Sequence, residues 1–206
     1  MVADGIYYAL ALTAGGGIVS YLSRPAFGIP LYVLAAFCLY FFRDPEREIP
    51  AGPVAVSPAD GKIVSLRSEV AGRTRISIFL NIFDVHVTRA PVSGKIAEVS
   101  YQPGRFLVAS RERASLENEQ NSVTIASGPA SRVEFRQIAG LIARRIVFRK
   151  KPGEEVRTGE RVGLIKFGSR VDVFLGPEWE ILVRQGMRVK AGESVLARQK
   201  PPAGES

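Results

Sequence analysis

Residues 163–175, GLIKFGSRVDVFL, set a Gly168-Ser169 pair inside a segment that otherwise alternates as a β-strand, with Leu164, Ile165 and Phe167 before it and Val171, Val173 and Leu175 after it. A serine hydroxyl beside a glycine carbonyl can cut its own chain. Attack of Ser169 Oγ on the Gly168 carbonyl carbon gives an ester by N→O acyl shift, and β-elimination then breaks the ester. The dehydroalanine left behind hydrolyses to a pyruvoyl group and ammonia. Glycine suits the upstream side because it exposes its carbonyl and tolerates strained backbone angles. The step also needs a base for the hydroxyl and donors for the oxyanion. Taken alone, a Gly-Ser pair in a strand is more commonly a bulge.

Two other residues have suitable chemistry. His86, the only histidine, lies in NIFDVHVTRAPVSG; if residues 84–88 form a strand, it shares a face with Asp84 and Thr88. A single histidine is more often a hydrogen-bonded structural residue than a proton donor. Asp60, in SPADGKI, is a carboxylate ahead of a glycine, which is also the pattern of a plain turn. One cysteine, Cys38, and one histidine provide neither a disulfide nor a zinc ligand set, so no metal site is expected. Walker A, dinucleotide-binding, HExxH and nucleophile-elbow motifs are absent.

The elements that must position these residues fall into two parts. Residues 1–42 hold two apolar stretches, 5–22 and 26–42, and carry only Asp4 and Arg24 as charges. Each is close to the lower limit for a spanning helix, about 17–25 residues. With the short Ser23–Pro25 break they predict a helical hairpin, either in a membrane or buried in a soluble fold. Tyr7, Tyr8, Tyr21 and Tyr40 near the stretch ends match an interfacial aromatic belt and favour the membrane. RDPERE at 43–48 then forms a polar boundary, with Arg43 and Arg47 at the interface favouring a cytoplasmic main domain.

Residues 43–206 read as a β-rich domain. Strands are expected at 61–66, 75–80, 94–101, 122–126, 133–138, 145–148, 161–167, 171–175 and 194–198, and a polar helix at 110–121. GEEVRTGERV and GMRVKAGESV share G-x-x-V-x-x-G-E-x-V at an offset of 33 residues, and SPADGKI is echoed by APVSGKI. Gly-rich hairpins of this kind point to a mainly β, barrel-sandwich-like architecture preceded by the apolar helical hairpin. The formal net charge of +8 suggests an anionic partner. Nucleic acid is disfavoured because no aromatic-basic binding motif accompanies the charge; a membrane surface fits better.

Together, FFRDPER, SPADGKI, NIFDVHVTRAPVSG, LENEQN, IAGLIARRI and FGSRVDVFL appear in the order and spacing of the phosphatidylserine decarboxylases, and the chain resembles their short bacterial and archaeal branch. The resemblance covers most of residues 41–175. It implies a proenzyme cut between Gly168 and Ser169 into a β subunit, 1–168, and an α subunit, 169–206, which stay together as a heterodimer. Ser169 then becomes a covalent pyruvoyl cofactor that forms a Schiff base with phosphatidylserine, releasing carbon dioxide and phosphatidylethanolamine at the cell membrane.

By the same resemblance, Asp60 is the processing aspartate and His86 the proton donor. Arg144 and Arg145 are candidates for the lipid phosphate, or else a solvated strand edge. Two positions depart from the family pattern. Arg89 stands where long-branch members have a second histidine, which leaves Asp60, His86 serving twice, or water as the base, with Asp60 assisted by His86 preferred. Arg170 stands where many members have threonine. The competing expectation is a membrane-anchored barrel-sandwich adaptor without catalysis, which would not require Asp60, His86 and Gly168-Ser169 together.

Overall fold

Alternation in the sequence becomes a sheet whose inner face is apolar and whose outer face is largely charged. The computed structural model describes residues 2–106, 117–128, 131–140, 145–165 and 169–201. It divides into two units, Met1–Glu46 and Arg47–Ser206.

The first unit is a helical hairpin of α1 (Ala3–Leu22) and α2 (Pro25–Phe41). Pro25 opens α2 where its missing N–H costs nothing, and Val2 N–H donates to Phe42 O at 3.0 Å, tying the two open ends together. Glycines let the helices touch: a Cβ at Gly16 would lie 2.7 Å from the Tyr32 ring, and one at Gly28 would lie 2.6 Å from Gly16 O. Leu10, Ile18, Phe27 and Val33 point outward and are exposed. Of the described helices, α1 is long and apolar enough to cross a membrane, and α2 is a shorter apolar helix.

In the second unit, the main sheet has eight antiparallel strands and curls into a half-barrel. Its order is β13 (Arg188–Val189), β2 (Gly61–Ser68), β3 (Thr74–Leu80), β11 (Ser169–Leu175), β7 (Arg132–Ile138), β6 (Gln120–Ala126), β5 (Gly94–Gln102) and β9 (Glu155–Val156). One small sheet joins β1 (Val54–Val56), β14 (Val195–Gln199) and β12 (Trp179–Ile181). The other joins β4 (Val87–Arg89), β10 (Arg161–Ile165) and β8 (Ile146–Phe148). Ile63, Ile76, Ile78, Val123, Phe135, Val171 and Val173 lie in the enclosed core.

The sequence echoes are spatial partners. GMRV docks on SPADGKI through Arg188↔Lys62 and Val189↔Gly61, while GEEV docks on APVSGKI through Glu155↔Lys95 and Val156↔Gly94. Gly61 and Gly94 both have φ +153, and a Cβ at either would sit 2.2 Å from the carbonyl oxygen of Phe79 or Ala126. Only glycine allows these crossings.

Several expected elements shift. Of the expected strand 161–167, residues 161–165 form β10, residues 166–168 lie outside the described residues, and β11 is described from Ser169 onward. Strand structure near His86 is confined to Val87–Arg89, and Asp84–His86 form the non-strand approach to it. Of the helix expected at 110–121, residues 110–116 lie outside the described residues, while Gln120 and Asn121 belong to β6. The short strands β1 and β12 were not expected; they have three residues each, too few for alternation to register. Strands β9 and β13 end on the valines of the two repeats.

Candidate active site

Strand β11 is buried along its whole length because it lies inside the sheet, between β3 and β7. Ser169, Val171, Val173 and Leu175 alternate onto one face, and the last three join the core. Ser169 is opposite Leu80 in register. Its Oγ is fully buried and has no hydrogen-bond partner. An unpaired buried hydroxyl costs about 1–3 kcal/mol, so it is an exceptional group in this interior. Gly168 lies outside the described residues.

The other face of β11 carries Arg170 and Asp172, both almost fully enclosed. Arg170 Nε donates to Asp172 Oδ1 at 2.6 Å, and an Arg170 terminal nitrogen donates to Ser77 Oγ at 2.6 Å. Arg170 thus serves as a clamp on the strand that begins at Ser169, and its side chain is committed to the face opposite the serine.

Asp60 comes from the turn before β2. Strand β3 has β2 on one side and β11 on the other, and the pairs Lys62↔Phe79 and Leu80↔Ser169 bring the starts of β2 and β11 to the same end of the sheet. Asp60 Oδ1 accepts the Ala191 N–H at 2.7 Å. The second copy of the repeat makes the same contact without a charge: Ser93 Oγ accepts the Thr158 N–H at 2.8 Å. The turn therefore needs only an acceptor, and the carboxylate at Asp60 exceeds that need.

Arg47 accounts for part of the excess. One of its terminal nitrogens contacts both Asp60 oxygens, at 3.1 and 2.8 Å, and the other reaches Glu193 at 3.3 Å. Burial raises the Asp60 carboxyl above its ordinary value. The Ala191 N–H and the Arg47 guanidinium pull it back, the nearby charge of Asp84 pushes it up again, and the net shift is upward. Arg47 was expected at a membrane interface from its place in RDPER. Its side chain folds onto Asp60, while Arg43 stacks over the Tyr40 ring at 3.9 Å.

His86 is 2% exposed, and its Nδ1 lies 2.8 Å from Asp84 O. A carbonyl can only accept, so Nδ1 carries the proton of that bond, and Nε2 is the basic nitrogen of the neutral ring. The His86 carbonyl accepts Ile165 N–H at 3.2 Å, fixing the histidine at the end of β10. Ile165 and Ser169 are separated by only three residues, none of them described, so His86 is held beside the junction that leads into Ser169. Asp84 is itself buried and is paired with Arg188.

Asp60, Asp84, His86 and Ser169 therefore gather at one end of the sheet. The sequence reading singled out three of these and missed Asp84 and Arg47 as participants. The adjacency of Asp84 to His86 in DVH was the available signal; nothing in local spacing links Arg47 to Asp60. Arg89 is buried and donates to Gly159 O at 2.9 Å, bracing a repeat turn. Arg145 is exposed just before β8, and Arg144 lies outside the described residues. Among the described residues no cluster of histidine, cysteine and carboxylates has the makings of a metal site.

Comparison with known proteins gives a concordant result. The family model described as phosphatidylserine decarboxylase matches residues 34–197. A phosphatidylserine decarboxylase proenzyme of Solibacter usitatus is 64% identical over 97% of both chains. Proenzymes of the same name from Magnetococcus marinus and Erythrobacter litoralis are 45% and 43% identical, over 82% and 95% of this chain and 81% and 86% of their own.

Proposed function

Because the chain belongs to the phosphatidylserine decarboxylase family, we propose that it is made as a precursor, cuts itself between Gly168 and Ser169, and converts phosphatidylserine to phosphatidylethanolamine. The observation that carries this reading is the buried, unpartnered hydroxyl of Ser169 at the first position of an interior strand. A hydroxyl kept there at a cost to stability is explained if the residue is consumed, since the orphan group disappears on maturation.

In the maturation step the Ser169 Oγ–H bond breaks as Oγ bonds to the Gly168 carbonyl carbon. Asp60 accepts the proton, directly or through His86 Nε2. The Gly168–Ser169 C–N bond then breaks in the acyl shift, and elimination leaves Gly168 as a carboxylate. The Arg170–Asp172–Ser77 contacts hold the downstream strand in register while its first residue is remodelled. Arg89 is engaged in a turn, so it is not the base.

A pyruvoyl carbonyl at position 169 supplies the electron sink that decarboxylation of an amino acid headgroup requires. The chain's own contribution is acid–base and positional. His86, with Nδ1 held by Asp84 O, would take up a proton at Nε2 and pass it to the carbon that loses carbon dioxide. Arg145 would meet the lipid phosphate. The apolar hairpin of residues 1–42 would keep the enzyme at the cell membrane, with the β-rich unit, residues 43–206, on the cytoplasmic side and the two fragments held as a heterodimer.

Intact-mass measurement and a denaturing gel test the proposal. Two fragments are expected, the smaller starting at residue 169 with a blocked, ketone-bearing end. Active protein that remains one chain with an unmodified Ser169 would overturn it.

A further inference from the structure

We propose that the loop at residues 81–84 is a lipid-docking surface that seats the catalytic unit on an anionic bilayer, an inference that rests on the lipid substrate proposed above. The loop leaves the end of β3 directly after Leu80, the register partner of Ser169. Its polarity is inverted. Asp84 is only 7% exposed, whereas Phe83 is 60% exposed and Ile82 36%.

This outward display is built in. Phe83 N–H donates to Asn81 Oδ1 at 2.8 Å, Asn81 N–H donates to Asp84 Oδ2 at 2.9 Å, and Asp84 N–H donates to Asn81 O at 3.1 Å. Arg188 closes the base of the loop by pairing with Asp84. A turn this fully braced keeps more than half of Phe83 exposed, an arrangement that favours a partner able to take apolar groups.

The surroundings define that partner as a lipid surface. Arg188 and Lys62 are neighbours in register, and both are exposed. The adjoining turn adds exposed Arg184 and half-exposed Met187, whose sulfur accepts the Arg184 N–H at 3.3 Å. Apolar tips flanked by cations match the boundary between acyl chains and anionic headgroups. The residues inserted there, Ile82 and Phe83, would lie two and three positions past Leu80, the residue opposite Ser169, so the loop would present the site to headgroups still in the bilayer.

The test uses the full chain. Phe83→Trp adds a second indole to the chain's single, buried Trp179, whose emission in the unsubstituted chain sets the baseline. Vesicles of phosphatidylcholine brominated on its acyl chains, with and without phosphatidylglycerol as an anionic lipid that is not consumed, should quench the emission of residue 83 and leave Trp179 unchanged. Quenching should be stronger with phosphatidylglycerol and should weaken with added salt. Unquenched emission overturns the proposal, as does equal quenching in neutral vesicles. A concentration-dependent blue shift in detergent without lipid quenching also overturns it and assigns the loop to a second copy of the chain.

A second measurement separates docking from chemistry. Ile82→Ser/Phe83→Ser should slow turnover of vesicle-embedded phosphatidylserine about tenfold and leave turnover of a soluble short-chain phosphatidylserine unchanged. Equal loss on both overturns the docking role. A chain inactive on every phosphatidylserine refutes the proposed function, while the quenching readout still decides the docking.

Discussion

Replacing Asp60 by serine copies into the first repeat the acceptor that Ser93 already provides in the second. The hydrogen bond from Ala191, about 1 kcal/mol net, should survive the change. What is lost is the ion pair with Arg47, whose side chain is 10% exposed against 13% for Asp60. Breaking a buried pair costs about 3–5 kcal/mol. Arg47 keeps Glu193 at 3.3 Å as a second partner, and one end of the pair reaches water. A loss of about 1–3 kcal/mol is therefore expected, or roughly 3–10 °C in Tm for a chain of this size. The chain should fold. Maturation should be far more sensitive, because removing a general base typically costs about 10²–10⁴ in rate. A time course of fragment appearance on a denaturing gel, with Tm measured in parallel, separates the two effects. Maturation of Asp60→Ser at the unsubstituted rate would refute the assignment and leave Asp60 as a turn residue with a structural ion pair.

Other expectations follow from the same geometry. Ser169→Ala should abolish fragment formation and raise precursor stability by up to about 1–3 kcal/mol by removing an unpaired buried hydroxyl, measured by denaturant titration. Arg170→Met should cost up to about 3 kcal/mol by removing the nearest cation from Asp172, which keeps Arg75 at 4.0 Å, and adding Asp172→Leu should restore part of that in the same titration. Maturation should slow as pH falls through the raised Asp60 range, because only the ionised carboxylate is a base; a rate independent of pH there would exclude Asp60. At Glu134, burial pushes the carboxyl up, but the hydrogen bonds and charges of Arg73 and Arg136 outweigh it and hold it below its ordinary value. Its contribution is therefore complete above the unfolded value and is lost as pH falls through the folded one, so Glu134→Gln should flatten the acid limb of a stability profile.

The sequence made the catalytic candidates legible because Asp60, His86 and Ser169 sit in short runs with unusual neighbours. It also revealed the repeat, since Gly159 and Gly192 with φ of 77 and 76 serve equivalent turns and keep glycine at equivalent positions. It did not reveal that the two echoes pair with one another, because the contact between Gly61 and Val189 spans most of the chain. The pairing of Arg47 with Asp60, 13 residues on, was not anticipated because its neighbours in RDPER suggest a boundary and no local periodicity links the two. Asp84 was set on the face of His86 only on the condition of a strand over 84–88, whereas the backbone there bends so that the Asp84 carbonyl meets the imidazole.

The location of β11 between two hydrogen-bonded neighbours has a consequence for the life of the severed protein. A cut before Ser169 frees a short piece, yet that piece runs through the middle of the sheet, and its later strands pair with β1 and β2. It cannot leave without tearing the interior apart. The precursor can find this arrangement as one molecule, whereas its descendants, once melted, would have to meet again in solution. Heating should therefore be reversible before the cut and a one-way journey after it.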